Sequence, residues 1–367
     1  MEFAHPDKYP IAESNSDMEL IVKALSKTNT DEKVLIQVLS GRIHPLEICS
    51  RRQAYKVQYG QAKDLLDVVT SKKINFRGGF KSLAHALVAG GLDLDVFLLQ
   101  KAIEGVGTIE DYLDLVLLGR SNEDIKAITA HYEVVTKRKG KPTTLLKALE
   151  GDLSGDILTL YRGVLRAERR WEAANVPIPQ DELEANVREL YAALTGQVTL
   201  EKVLKFFLTA SMHRLASINN SWVKITKQDV SLVKRIKDKF TGHMENALLY
   251  ILGTAVDKAG WDTKMLGSVL HANGVLRGNK DEEIAVRVAK MVWDGKLMEG
   301  SANPSGGTYK PGDWLKEVDR KYFKEYVSKS GPPSNGYLGR KLRDQTSGHF
   351  QDLILRLWKN GGGVVHY

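Results

Sequence analysis

Six consecutive residues, Ile103-Glu104-Gly105-Val106-Gly107-Thr108, and one distant carboxylate, Asp152, form the constellation best placed to do chemistry. Two glycines two apart let the backbone take positive φ and turn carbonyl oxygens outward together. Thr108 is placed to cap the next helix, and Glu110 and Asp111 suit that helix's positive end. Asp152 lies in a second connection, Gly151-Asp152-Leu153-Ser154-Gly155. If the intervening helices run up and down, both connections emerge at the same end. Backbone carbonyls plus a bidentate carboxylate make an oxygen cage at ~2.3–2.6 Å, which suits Ca²⁺ better than Mg²⁺ or zinc. Alone, a Gly-x-Gly-Thr stretch is more often a tight turn. The matched Asp152 loop and its repeat setting favour the cation.

That setting is a fourfold helical pattern. From Asp17, Asp95, Asn186 and Asp262 the chain reads DMELIVKAL, DVFLLQKAI, NVRELYAAL and DTKMLGSVL. A second signature trails each opening, at Phe76-Arg77-Gly78, Leu153-Ser154-Gly155, Phe240-Thr241-Gly242 and Thr346-Ser347-Gly348. Self-similarity at a long period indicates an array of helical units. The second unit shows five amphipathic stripes: Val96, Leu99, Ile103; Leu113, Val116, Leu117; Ile125, Ile128, Tyr132, Val135; Leu145, Leu146, Leu149; and Ile157, Leu160, Tyr161, Val164, Leu165. A charged stretch, RAERRWEAANVPIPQDE, links units two and three, and Pro177 and Pro179 interrupt any helix there. The segment from Trp293 to Trp314 reads as a long inserted loop from its Gly, Pro and Ser content.

The bulk properties agree. A chain of 367 residues is too long for one typical core. Hydrophobic content of 43% and charged content of 27% describe an ordinary globular protein. The longest apolar runs fall short of ~18 residues, so no segment is expected to span a bilayer. The start has no basic end followed by an apolar stretch, so no secretory signal is expected. Cys49 stands alone, which excludes internal disulfides and suits a reducing cytosol. A net charge of +8 favours anionic surfaces such as acidic lipid without demanding nucleic acid.

On these residues the chain resembles the annexins, over roughly residues 17 to 360. Gly105-Val106-Gly107-Thr108 and Asp152 match that family's loop signature residue by residue, with Lys137-Arg138-Lys139-Gly140-Lys141 as a local insertion between them. The long insertion in unit four and the short tail look most like the divergent annexins of fungi. The resemblance implies an all-α fold, four repeats of about five helices packed as a curved disc. The expected divisions are a tail at 1–16, repeats at 17–91, 92–170, 183–258 and 259–360, a linker at 171–182 and a C-terminal tail at 361–367. It implies Ca²⁺ held by the carbonyls of Ile103, Gly105 and Gly107 with the carboxylate of Asp152. It further implies calcium bridging to anionic phospholipid, a cytoplasmic protein peripheral on membranes when calcium rises, and no enzymatic activity. The N-terminal tail is the candidate segment for protein partners, no specific nucleic acid is expected, and oligomeric state is open.

The departures from the pattern matter as much. Repeat one has Lys27-Thr28-Asn29-Thr30 for the glycine loop and Lys72 for the acid. Repeat three has Gly196-Gln197-Val198-Thr199, with Lys239 at the acid's place and Asp238 beside it. Repeat four has Ala272-Asn273-Gly274-Val275, with Gln345 there and Asp344 adjacent. A lysine at that place puts positive charge where Ca²⁺ would sit. Repeat two alone keeps the complete set, and Asp238 and Asp344 offer weaker sites. A scaffold binding proteins or acidic lipid through basic patches, without calcium, is the alternative reading.

Asp95 and Arg120 lie 25 apart, as do Asp17 and Arg42, Asn186 and Ser211, and Asp262 and Arg287. The first of these reads as a packed ion pair between helices, with a polar channel as the sharper alternative. The Asp262 spacing would put Lys280 and Glu283 in the core, which points instead to an insertion in the first loop of repeat four. The nine histidines show no metal-ligand spacing, and no Ser or Cys nucleophile sits in a recognisable elbow. The KRKGK cluster reads as a solvated loop away from the calcium face. Trp222, Trp261 and Trp314 read as packing residues rather than membrane anchors.

Overall fold

Gly78, Gly155, Gly242 and Gly348, the glycines of the second repeated signature, all take a left-handed φ, at 53°, 61°, 61° and 57°. Each opens the fifth helix of its repeat. That left-handed backbone is strained for a residue with a Cβ and free for glycine, and the signature recurs for that reason.

A computed structural model describes residues 11–26, 30–41, 52, 55–60, 64–71, 76, 78–105, 107–173, 175–272, 280–301, 307–328 and 336–365. The architecture is all-α, four repeats of five helices, with no β-strand among the described residues. Repeat one has α1 (Ile11–Ser26), α2 (Glu32–Gly41), a helical segment at 55–59, α3 (Leu65–Thr70) and the first part of α4 (Gly78–Ile103). Repeat two takes the rest of α4, then α5 (Glu110–Leu117), α6 (Asn122–Arg138), α7 (Leu145–Asp152) and α8 (Gly155–Leu165). Repeat three has α9 (Gln180–Ala193), α10 (Leu200–Thr209), α11 (Met212–Thr226), α12 (Leu232–Lys239) and the first part of α13 (Gly242–Leu270). Repeat four takes the rest of α13, then α14 (Lys280–Met298), α15 (Asp313–Tyr322) with a π-helical turn at Phe323–Val327, α16 (Tyr337–Gln345) and α17 (Gly348–Asn360).

The chain forms two compact units. One is Asp95–Trp261, holding repeats two and three; the other joins the residues before Asp95 to those from Asp262 on. In the first unit Tyr112, Tyr161, Phe207 and Trp222 are fully buried. In the second, α17 packs on α2 and buries Leu357 and Trp358. There Arg52 donates to Asp64 at 2.7 Å and to the Ala89 carbonyl at 3.1 Å, and also pairs with Asp93.

Most residues of the sequence-read stripes of repeat two are buried, Ile103, Ile157, Val164 and Leu165 partly so, and one is exposed. Leu146 is 38% exposed, because α7 turns Leu145 and Leu149 inward at i, i+4 and the residue between them outward. α4 is long and apolar enough to cross a membrane by composition, but it bends at Gly90 (φ 73°) and is largely buried within the fold. The region from Trp293 to Trp314 is not one long loop. α14 runs on to Met298 because Met291, Val292 and Trp293 are buried, and Trp314 packs over Gly295. Glu283 and Arg287 are buried and Lys280 is half-buried, so the acid that the sequence reading kept out of the core lies in it.

Candidate metal centre

The loop of repeat two begins where α4 ends. The Glu104 N–H closes the last turn on the Gln100 carbonyl at 2.7 Å, and Ile109 N–H returns to Ala102 at 3.0 Å. Between these bonds the chain turns through Gly105 (φ 148°) and Gly107 (φ 79°). A Cβ built at either glycine meets nothing within 4 Å, so backbone conformation rather than crowding demands glycine, and the loop stands open. Among the described residues none donates a backbone hydrogen bond to the carbonyls of Ile103, Gly105 or Gly107.

Asp152 closes α7, and Thr108 Oγ1 donates to its Oδ2 at 2.6 Å. The two connections are therefore brought together across 43 intervening residues. Thr108 does not cap α5 as the sequence suggests. Ile109 holds the N-cap position without a side-chain bond, because the Thr108 hydroxyl takes the charged acceptor instead. Among the described residues no three His, Cys, Asp or Glu side chains cluster as metal ligands. The Thr108 bond sets one carboxylate against this loop; backbone carbonyls with a carboxylate are hard-oxygen donors, which suit Ca²⁺ and offer nothing to a thiophilic metal.

Repeat three places the same elements differently. The bond equivalent to Ile109→Ala102 is Thr199 N–H to Ala193 at 3.0 Å, so this loop is one residue shorter. Lys239 ends α12 as Asp152 ends α7, and its Nζ donates to the Gly196 carbonyl at 2.9 Å. The adjacent Asp238 is ion-paired with Lys234 one turn back. In repeat four Gln345 ends α16, and its Oε1 accepts from Lys280 Nζ at 2.7 Å. Asp344 is exposed. Repeat one keeps the longer loop, with Asp31 N–H to Ala24 at 3.1 Å. Lys27–Asn29, Arg42, Cys49, Lys72 and Asn273–Val275 lie outside the described residues, as does Val106.

No family model matches the chain. Among curated proteins it is 28% identical over 301 residues to annexin C1 of Cryptococcus neoformans, covering 79% of this chain and 60% of that relative. Among solved structures, annexin III covers 97% of this chain and 95% of its own, with 21% identity and a TM-score of 0.75. In sequence and in fold the chain is similar to annexins. A calcium-bound annexin (Sm)1 structure superposes with a TM-score of 0.71 and 20% identity, over 94% of this chain and 89% of that one.

The expected ion pair is present: Arg120 Nη2 meets Asp95 Oδ2 at 3.1 Å, with the Asp95 side chain 1% exposed. Repeat three replaces it with a network that the Asn186–Ser211 spacing did not reveal. Arg214 donates to Asn186 Oδ1 at 2.9 Å, to Glu182 at 3.1 Å and to Glu172 at 3.0 Å, and Ser211 also bonds Glu172. Glu172 lies in the linker, 42 residues from its partner, where no local pattern could flag it. Trp222 and Trp314 are buried, and Trp261 packs edge-on against Tyr250 at 5.6 Å. Trp171 in the linker is 86% exposed. The KRKGK segment is tied to α4. Lys139 Nζ reaches Gln100 Oε1 at 2.6 Å, one turn before Ile103, because α6 extends to Arg138 and carries it there.

Behind the loop, Asp114 of α5 accepts from Tyr161 and lies 3.1 Å from His243 Nε2. Burial pushes the Asp114 carboxyl up. Burial alone would lower the His243 imidazolium, but the hydrogen bond and charge of Asp114, with Glu110 and Asp111, raise it instead. This buried contact ties the helix after the glycine loop to the start of α13.

Proposed function

We propose that the protein is an annexin that binds anionic phospholipid surfaces in a calcium-dependent way, with one complete calcium site in repeat two. The observation that carries the reading is the Thr108–Asp152 contact, which sets a carboxylate against an open glycine loop with undirected carbonyls. The carbonyls of Ile103, Gly105 and Gly107 and the carboxylate of Asp152 would hold the ion. Bound there, Ca²⁺ supplies open coordination positions for lipid phosphate oxygens. The protein's own residues supply the rest. The glycines hold the carbonyls outward, Thr108 fixes one carboxylate oxygen, and α5 places its positive end behind the loop.

Relatives of the family support this role in general, and a calcium-bound structure exists for annexin (Sm)1. The proposal includes no catalytic step. It places the protein in the cytoplasm, moving to membranes when calcium rises. One observation favours the alternative, calcium-independent reading: Lys239 holds the acid position of repeat three, and in repeat four Gln345 holds it with Lys280 bonded to it. Cosedimentation with phosphatidylserine vesicles decides between them. Binding that rises with calcium and falls with chelator, and loses that increment in Asp152→Asn, is expected. A pellet indifferent to both would overturn the calcium reading.

A further inference from the structure

The loop pair of repeat three is not a ruined copy of the one in repeat two. α12 carries Lys234, Arg235, Lys237 and Lys239 against the single acid Asp238, whereas α7 carries Lys147 against Glu150 and Asp152. The positive helix thus stands where the negative one stands in repeat two. Lys239 occupies the register of Asp152, and its ammonium sits on the carbonyl of Gly196, the residue aligned with Gly105. The charge and carbonyl contact that a divalent ion would provide are there supplied by the chain itself. An ammonium has three donors, and the other two of Lys239 have no acceptor among the described residues. Gln197 and Thr199 beside it are exposed, and Thr199 makes no side-chain cap bond. Repeat four repeats the theme, with Lys280 bonded to Gln345 at the acid position.

We propose that Lys239, held on the Gly196 carbonyl, makes the repeat-three loop a calcium-free binding site for the phosphodiester of an anionic lipid. The site rests on the reading that this family member's loops meet phosphate, but not on calcium at Asp152. Its ammonium is pre-positioned, so it donates charge-assisted hydrogen bonds rather than a diffuse field. A nearby lysine on another face of the same helix gives the diffuse field alone. Lys237 is exposed and two residues away, so it does not share the face of Lys239.

The test is vesicle cosedimentation in chelator at raised salt, with phosphatidylserine in phosphatidylcholine, for wild type, Lys239→Gln and Lys237→Gln. Glutamine keeps a donor for the Gly196 carbonyl and removes the charge. Lys239→Gln is expected to weaken chelator-resistant binding about tenfold, the scale of one hydrogen bond to a charged group. Lys237→Gln is expected to stay within about twofold, since salt screens exposed charge. Equal losses in the two variants, or none in Lys239→Gln, would overturn the proposal. Calorimetry with inorganic phosphate separates the sources. Weak or absent heat with intact vesicle binding supports the lipid, and Lys239-dependent phosphate heat without any vesicle effect overturns it. Calcium-driven binding through Asp152 should survive in Lys239→Gln, which shows that the variant folds. Loss of the calcium increment in wild type would sink the repeat-two reading and leave this one standing.

Discussion

Repeats two and three lie in one compact unit and use the same helices, yet their loop ends carry opposite charge. In repeat two the seven-residue step from Ala102 to Ile109 holds two glycines, and a carboxylate faces it through Thr108. In repeat three the step from Ala193 to Thr199 is one residue shorter, Val198 stands in place of the second glycine, and a lysine faces it. The comparison teaches that losing a metal site need not leave a void. A loop that turns carbonyls outward must satisfy them, and a tethered ammonium does so as a bound cation would. The same contrast holds deeper in the two repeats, where the buried Asp95–Arg120 pair has no counterpart and a half-exposed network around Arg214 replaces it.

The largest expected difference lies there. Arg120→Ala removes a charged partner from the buried Asp95 carboxylate, and should lower unfolding free energy by ~3 kcal/mol. Arg214→Ala should cost about 1 kcal/mol, because Glu172 and Glu182 are exposed enough to be rehydrated. Urea denaturation of both variants checks the ordering, and equal costs would erase the distinction between the repeats. Next in size is Gly107→Ala. Its Cβ meets no atom, so the expected ~1 kcal/mol is the price of a left-handed backbone alone. Calcium affinity should fall with it, whereas Val198→Gly in repeat three should gain no calcium binding while Lys239 remains.

A pH effect joins the two regions through His243 and Asp114. His243 has its pKa raised in the fold, so its contribution to stability is complete below the ordinary value of 6.5 and is lost as pH rises through the folded value. The Asp114 carboxyl, also raised, acts in the same direction at lower pH. Stability of the wild type should therefore decline as pH rises above about 6.5, and His243→Gln should flatten that decline in thermal unfolding. A steeper slope in the variant would refute the pairing. The smallest effect belongs to Lys234→Ala. Its bond to Asp238 is exposed, so stability should change by no more than ~0.5 kcal/mol, and freeing Asp238 should create no calcium site.

Much of this was legible in the chain. The helical repeats, the proline-broken linker and the Gly-x-Gly-Thr loop with Asp152 all follow from local spacing. The recurrent glycines at 78, 155, 242 and 348 announce themselves because one backbone conformation forces one residue type. What could not be read depends on distance. Aligning Lys239 with Asp152 shows a charge at the right place, but not that its ammonium reaches Gly196, 43 residues earlier, or that the loop has lost a residue. Glu172 reaches Arg214 from a linker whose composition says only that it is polar. Thr108 looked like a helix cap because the cap rule is local, and the carboxylate that outcompetes it comes from another helix.

A calorimetric calcium titration tests the central claim most directly, with wild type, Asp152→Asn and Lys239→Gln side by side. One strong binding event is expected in wild type, its loss in Asp152→Asn, and its retention in Lys239→Gln. Two or more strong events in wild type, or an unchanged titration in Asp152→Asn, would contradict the assignment of a single complete site to repeat two.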